Sequence, residues 1–310
     1  MSPMSESPEA ISQRPSPVKI WLLAARPRTL PAGVAPVLVG TALAAAEKSS
    51  LRVGAFIAAL LGAVFIQVGA NLSNDYSDAR RGADTEDRLG PVRVTAGGLV
   101  PPKQVLTATY VSFALAVLCG VYLIIVAGWV ILAIGSASIL AGVLYTGGPR
   151  PYGYEGLGDV FVFLFFGLVA VTGSYYAQVE QLEWEAFALA VPVGLLAAAI
   201  LAVNNIRDAP TDARVGKRTL AVRLGRGRAR DFYAAEVYVA FLIPVGVWPA
   251  GGSQVGPWVL LTWLALPLAV PLVRTVRQHD DGPTLNEALA KTGMLQLAFC
   301  VLLSAGLLLS

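Results

Sequence analysis

From residue 28 to residue 309 the chain alternates between long apolar runs and short polar segments, and the runs are about 20 residues long, enough to cross a bilayer as helix. Nine spans are predicted, at 28–46, 53–73, 104–126, 128–146, 158–178, 186–205, 233–250, 256–273 and 291–309. The third and fourth meet at Ala127 and Gly128, so they should form a tight helical hairpin. Backbone groups in lipid must be bonded within their own segment, which favours helices. The expected fold is therefore all-α, a polytopic membrane helical bundle of nine transmembrane helices. Residues 1–18, rich in Ser and Pro and without apolar periodicity, are expected to be a disordered cytoplasmic tail, leaving 19–310 as one transmembrane domain.

Composition agrees with this pattern: 310 residues, 55% hydrophobic and 14% charged, with a mean hydropathy of +0.64. Charge adds an orientation, because Lys and Arg are retained on the cytoplasmic side. With the N-terminus inside, 21 of the 23 basic residues fall in inner segments and only Lys48 and Arg52 fall outside. That asymmetry places the protein in a cell membrane with its polar loops toward the cytoplasm. It also removes any reason to read the net charge of +3 as a nucleic-acid surface. Pro31, Pro36, Pro267 and Pro271 fall within spans, where they can kink helices and open lateral access from the lipid.

Two polar clusters interrupt the apolar pattern. Asn71, Asn74, Asp75 and Asp78 close the second span, and Asn204, Asn205, Asp208 and Asp212 close the sixth. Ionised carboxylates near lipid are unfavourable unless a partner, a metal or water compensates them. Asn71, Asp75 and Asp78 are spaced i, i+4, i+7, and Asn204, Asp208 and Asp212 are spaced i, i+4, i+8, so each set can project from one helix face. Helix capping is the plain alternative for one such cluster; two matching sets point to a shared cation site.

The kind of cation follows from what the chain lacks. His279 is the only histidine, which excludes histidine-rich zinc sites and Ser-His-Asp catalysis, and Cys119 and Cys300 lie inside apolar spans as small hydrophobes. An oxygen-only donor set suits a hard cation, Mg²⁺. Both clusters are followed by basic, glycine-containing loops, DARRGADTEDRLGPVR and DARVGKRTLAVRLGRGRAR. Metal ligands beside Arg and Lys, with Gly allowing close backbone approach, are what a diphosphate requires. The clusters are 133 residues apart and four helices apart, consistent with an internal duplication that turns both sets toward one cavity.

These stretches resemble the UbiA superfamily of membrane prenyltransferases. NLSNDYSDARRGAD and RLGPVR, Asn71–Asp84 and Arg88–Arg93, are similar to the first motif region of its 1,4-dihydroxy-2-naphthoate polyprenyltransferase branch. NNIRDAPTDARVGKRTLAVRLG, Asn204–Gly225, is similar to the second, and Tyr145–Asp159 and Trp21–Gly40 match other recurring segments. In many relatives an aspartate stands where this chain has Gly82, and Asp84 follows two residues later, a spacing that agrees with the naphthoate branch. Asn204 likewise stands where many relatives carry aspartate.

The resemblance implies prenyl transfer from polyprenyl diphosphate to 1,4-dihydroxy-2-naphthoate, with loss of carbon dioxide and pyrophosphate. It implies that Asp75, Asp78, Asp208 and Asp212 carry catalysis and hold Mg²⁺, with Asn71, Asn205 and Asp84 as further ligands and Asn74 and Asn204 assisting at the substrate. Arg28, Arg93, Lys217 and Arg150 are the candidates for diphosphate or acceptor-carboxylate contacts. Tyr145 and Tyr154, with Tyr152 between them, could turn aromatic faces toward a developing allylic cation, although an interfacial aromatic belt is the alternative. Phe161, Phe163, Phe165 and Phe166 could line a prenyl tunnel or face lipid and neighbouring helices. Two other readings compete: a related prenyltransferase using hydroxybenzoate, homogentisate or a glycerol lipid, and a cation-coupled transporter built from paired repeats.

Overall fold

The structure is a computed structural model and describes residues 15–48, 50–84, 89–252 and 254–310. The predicted tail up to residue 14, with Arg14, and the loop residue Arg88 lie outside the described residues. Helix begins inside the segment expected to be tail. Ser16 accepts a hydrogen bond from Lys19 N at 3.4 Å and Pro17 takes the first helical position, so a Ser-Pro pair that looks like linker composition is an N-cap.

Among the described residues all the regular structure is helix. The elements are α1 (Pro17–Ala25), α2 (Leu30–Lys48), α3 (Val53–Arg81), α4 (Pro102–Ala127), α5 (Val130–Leu144), α6 (Gly158–Val162), α7 (Ala170–Val179), α8 (Trp184–Arg214), α9 (Leu220–Leu224), α10 (Arg226–Ala250), α11 (Leu266–Gln278) and α12 (Gly282–Leu308). A π-helical stretch, Phe163–Val169, joins α6 to α7, and a 3-10 stretch, Pro257–Ala265, leads into α11, so each pair makes one continuous span.

Among the described residues eight helices are long and apolar enough to cross a membrane. The predicted span at 128–146 is represented by α5, an apolar helix of 15 residues, which is short for a full crossing. Just beyond its C-terminal end Thr146 donates a hydrogen bond to Asn74 Oδ1 at 2.8 Å, tying this end to α3. The spans carrying the polar clusters run longer than the apolar pattern: α3 continues to Arg81 and α8 to Arg214, so both clusters ride inside helices rather than capping them.

α3 packs along α4 and α8 along α10, while α12 lies against both α2 and α8. The core is rich in alanine, and glycines are buried on α2, α3 and α8, as expected where helices associate in lipid through close approach rather than through exclusion of water. Gly167, in the π stretch, crosses Gly194 of α8 so closely that a Cβ on Gly167 would lie 2.6 Å from the Gly194 Cα. This contact seats the Phe-rich span against the helix that carries the second cluster.

Lys48 and Arg52, the two residues predicted to lie outside, sit at the end of the bundle opposite the clusters. There the Arg52 amide donates to Gln178 Oε1 at 2.8 Å, and its guanidinium meets Glu180 at 2.7 Å.

Candidate functional site

The last turns of α3 present Asn71, Asn74 and Asp78 to the interior of the bundle. Asn71 donates through Nδ2 to Ala25 O at 2.9 Å and to Thr29 Oγ1 at 3.3 Å, tying α3 to the α1–α2 junction. Gly82, in the left-handed conformation, ends α3, and the Ala83 amide closes the cap on Asp78 O at 3.0 Å. The helix has therefore stopped before Asp84, which returns from the following turn to place Oδ1 3.6 Å from Arg93 Nε.

Asp78 is approached by three side chains. It is 1% exposed, accepts a hydrogen bond from the Tyr154 hydroxyl at 2.9 Å, and lies 3.7 Å from both Arg93 Nη2 and Lys217 Nζ. Lys217 also approaches Asp212 Oδ1, at 3.9 Å. One ammonium thus stands between the first cluster and the second. Its distances exceed hydrogen-bonding range, so it neutralises both carboxylates without occupying them.

On α8 the second cluster is organised by Arg207, which is 2% exposed. Its guanidinium donates to both oxygens of Asp208, at 2.7 and 2.5 Å, and also to Asn204 Oδ1 at 2.8 Å and to Asn286 Oδ1. Asn286 in turn donates to Leu89 O at 3.1 Å, joining α12 to the loop after α3. Asn205 donates to the buried Asp159 at 3.5 Å.

Between the clusters lies a cavity of about 250 Å³. Its polar end is lined by Asn71, Asn74, Asp78, Asn204, Asn205, Asp208 and Asp212 together with Arg26, Arg93 and Lys217. Its other end is apolar, between Ala63, Ile66, Ala141 and Ala170. An aromatic column runs along the wall: Tyr145 meets Tyr152 edge-on at 5.4 Å, Tyr152 stacks on Phe161 at 4.0 Å, and Phe161 lies 6.1 Å from Phe165. The π-helical stretch carries Phe165 and Phe166 into this wall, a local distortion of the kind often found at functional sites. Burial pushes the hydroxyls of Tyr152 and Tyr154 above the ordinary tyrosine range, and at Tyr154 the charge of Asp78 adds to the effect. Tyr154 therefore remains a proton donor to Asp78.

Not every predicted residue reaches the cavity. Arg28 and Arg150 are exposed and lie outside its lining, where Arg26 takes the place expected of Arg28. Arg26 stands at a reversal of the chain, with φ 55°, between α1 and Pro27. Tyr154 is spent on Asp78, whereas Tyr152, only an intermediate in the sequence argument, faces the cavity. Asp75, at helical spacing from Asn71, is 2% exposed and also lies outside the lining; both its oxygens accept backbone amides, from Val94 at 3.1 Å and Thr95 at 2.9 Å. A helical wheel could not show this, because the cover is a loop almost 20 residues away in sequence. The buried Arg207 was legible only as a basic residue at a span's end; its neighbour Asp208 was the one available signal.

Among the described residues no group of three acidic, histidine or cysteine side chains is arranged to hold a metal ion by itself. The donors that converge are carboxylate and amide oxygens, the set that a hard divalent cation takes, with Lys217 Nζ 3.7 Å from Asp78 and 3.9 Å from Asp212.

A helical membrane bundle enclosing a cavity that is anionic and cationic at one end and apolar and aromatic along its length suits a membrane enzyme acting on an amphiphile with a charged head. The chain belongs to the UbiA prenyltransferase family, whose sequence profile matches residues 33–307. It is 41% identical to the 1,4-dihydroxy-2-naphthoate octaprenyltransferase of Mycobacterium tuberculosis over 93% of this chain and 96% of that one. Against the protein of the same name from Escherichia coli the identity is 37%, over 96% and 98% of the two chains. Among solved structures, a UbiA homolog from Archaeoglobus fulgidus bound to DMAPP and Mg²⁺ shares the fold with a TM-score of 0.63 at 14% identity, covering 93% of this chain and 98% of that one. A UbiA homolog from Aeropyrum pernix superposes with a TM-score of 0.66 at 15% identity, over 90% and 97%. The protein is a multi-pass integral membrane prenyltransferase.

Proposed function

We propose that this protein transfers a polyprenyl group from polyprenyl diphosphate to 1,4-dihydroxy-2-naphthoate, releasing carbon dioxide and pyrophosphate and giving demethylmenaquinol on the route to menaquinone. The observation that carries the reading is Lys217, poised between Asp78 of one cluster and Asp212 of the other at the polar end of an otherwise apolar cavity. The names of the mycobacterial and enterobacterial relatives support the acceptor.

Asp78, Asp208 and Asp212, with amide oxygens from Asn71, Asn74, Asn204 or Asn205, are the residues that would hold Mg²⁺, and Asp84 stands behind them through Arg93. The metal, when bound, supplies neutralisation of the diphosphate and stabilises pyrophosphate as the leaving group. Arg93, Lys217 and Arg26 bind the diphosphate oxygens and orient the allylic carbon down the cavity. The allylic C–O bond breaks toward this cationic end. Tyr145 and Tyr152 line the cavity where the resulting cation would lie and can stabilise it through their π systems, while the apolar wall excludes water that would otherwise capture it. The ring carbon of the naphthoate bonds to the allylic carbon, the carboxylate leaves as carbon dioxide, and its electron pair returns to the ring. The basic loops support an orientation with this end of the bundle at the cytoplasmic face of the cell membrane, among lipids that would deliver the prenyl donor.

The test is to purify the protein in detergent and supply Mg²⁺, a polyprenyl diphosphate and a panel of aromatic acceptors. Demethylmenaquinol formed with 1,4-dihydroxy-2-naphthoate is expected. Product from hydroxybenzoate with none from the naphthoate would overturn the acceptor assignment.

A further inference from the structure

The first motif contains two aspartates three residues apart, and the structure treats them differently. Asp78 faces the cavity; Asp75 faces a loop. Its Oδ2 accepts from Val94 N and its Oδ1 from Thr95 N, at 3.1 and 2.9 Å, so a buried carboxylate is satisfied by two successive backbone amides. Such charge-assisted bonds are the strong class of hydrogen bond.

The clamped amides belong to a compact turn. Gly97 N donates to Arg93 O at 2.9 Å, Gly98 N to Thr95 O at 3.1 Å and Leu99 N to Val94 O at 2.9 Å, with Gly98 in the left-handed region at φ +66°. Its underside is apolar: Val94 and Val100 are buried against Ala24, Leu72 and Val105. The residue immediately before the two clamped amides is Arg93. Its guanidinium lies 3.7 Å from Asp78 and 3.6 Å from Asp84, and its buried Nε has no hydrogen-bond partner among the described residues. The arginine is thus held beside the carboxylates, lining the cavity, at distances that leave donor capacity for an anionic ligand.

We infer that Asp75 is a positioning residue that fastens the Arg93–Val100 turn to α3, so that Arg93 is presented to the diphosphate, and that it is not a ligand of the cation. This rests on the prenyl-transfer reading for the identity of the anion. It divides the work of one helix end: Asp78 faces the cation, and Asp75, one turn of backbone earlier, holds the arginine that faces the anion.

The experiment compares Asp75→Ala, Arg93→Ala and Asp78→Ala in the full chain, with three readouts. Hydrogen–deuterium exchange of the peptide covering residues 93–100 and Mn²⁺ binding by EPR need no acceptor. Steady-state kinetics then separates KM for the polyprenyl diphosphate from KM for the naphthoate. Asp75→Ala should lose exchange protection in the turn, keep Mn²⁺ affinity within about 2-fold, and raise the diphosphate KM about 10- to 100-fold, the range for an outer-shell residue. The naphthoate KM should stay within about 2-fold, and adding Arg93→Ala to Asp75→Ala should give little further loss, as for two residues acting as a unit. Thr95→Pro deletes one donor of the clamp while leaving the carboxylate intact, and should reproduce the same profile. Loss of Mn²⁺ binding in Asp75→Ala equal to that in Asp78→Ala, with the turn still protected, would make Asp75 a ligand and overturn the inference. An unchanged diphosphate KM in both Asp75→Ala and Thr95→Pro would overturn it too. A wild-type protein that binds Mn²⁺ and farnesyl diphosphate but does not prenylate the naphthoate would refute the acceptor reading alone.

Discussion

The two carboxylate-bearing helix ends are nearly identical in composition and opposite in how they are held. The end of α3 is organised from outside, by loops: the Val94 and Thr95 amides on Asp75, Tyr154 on Asp78, and Thr146 on Asn74. The end of α8 is organised from within, by Arg207 at the position next to Asp208. The first arrangement makes a cavity wall whose shape depends on chain far away in sequence, and the second makes one centred on a residue of the same helix, itself anchored to Asn286 of α12. Lys217 belongs to neither and joins both.

The largest expected effect tests whether both walls serve one site. Asp78→Asn and Asp208→Asn should each reduce kcat by at least about 10²- to 10³-fold, the size of losses seen when a preorganised electrostatic partner of the transition state is removed. Both proteins should keep a wild-type circular dichroism spectrum. Turnover that survives in one of them would detach that cluster from the chemistry.

Next is the internal scaffold of α8. Arg207→Met removes a fully buried cation that bonds Asp208 and Asn204, so thermal unfolding in detergent should show a loss of about 3–5 kcal/mol, the penalty for breaking a buried pair from one side. Lys217→Met should cost far less stability, because its contacts are longer and its side chain is 14% exposed, yet it should lower turnover more than it lowers the unfolding temperature. A larger stability loss at Lys217 than at Arg207 would reverse the comparison.

A smaller effect is expected at Tyr154→Phe, which deletes one outer hydrogen bond to Asp78 and should lower kcat by about 10- to 100-fold. The raised pKa of this hydroxyl has a defined sign. Its contribution to stability is fully present below the ordinary tyrosine value of about 10 and is lost as pH rises through the higher folded-state value. The wild type should therefore show no loss from this group between pH 6 and about pH 9, and an alkaline limb below that value that disappears in Tyr154→Phe would contradict the burial argument.

The smallest effects should come from Arg28→Ala and Arg150→Ala. Both residues are exposed and outside the cavity lining, and steady-state assays should show changes of less than about 2-fold, whereas Arg26→Ala should raise the diphosphate KM.

The unequal legibility of these residues has a physical pattern. Asn204, Asp208 and Asp212 were readable because i, i+4 and i+8 on the continuous helix α8 all turn to the same cavity. Asp75 has equally good spacing but is covered by the 93–100 turn, and helical periodicity carries no information about what lies over a face. Arg28 and Arg26 were indistinguishable as basic residues flanking Pro27, and the left-handed backbone at Arg26 decided which of them lines the cavity. The fourth span, at 128–146, was read from apolar length, but α5 has 15 residues, and just beyond it Thr146 bonds to Asn74.

By itself, the sequence determined that the chain is a bundle of membrane helices, that two oxygen-rich clusters close two of them, and that cations follow each cluster, because hydropathy and donor chemistry are local properties. Only the tertiary structure decided which carboxylates share the cavity and which one instead fastens a loop, and which arginine enters and which stays outside. Those outcomes depend on contacts such as Asp78 with Lys217 and Asp75 with Thr95, between residues 139 and 20 positions apart, which form only when helices and loops have packed together.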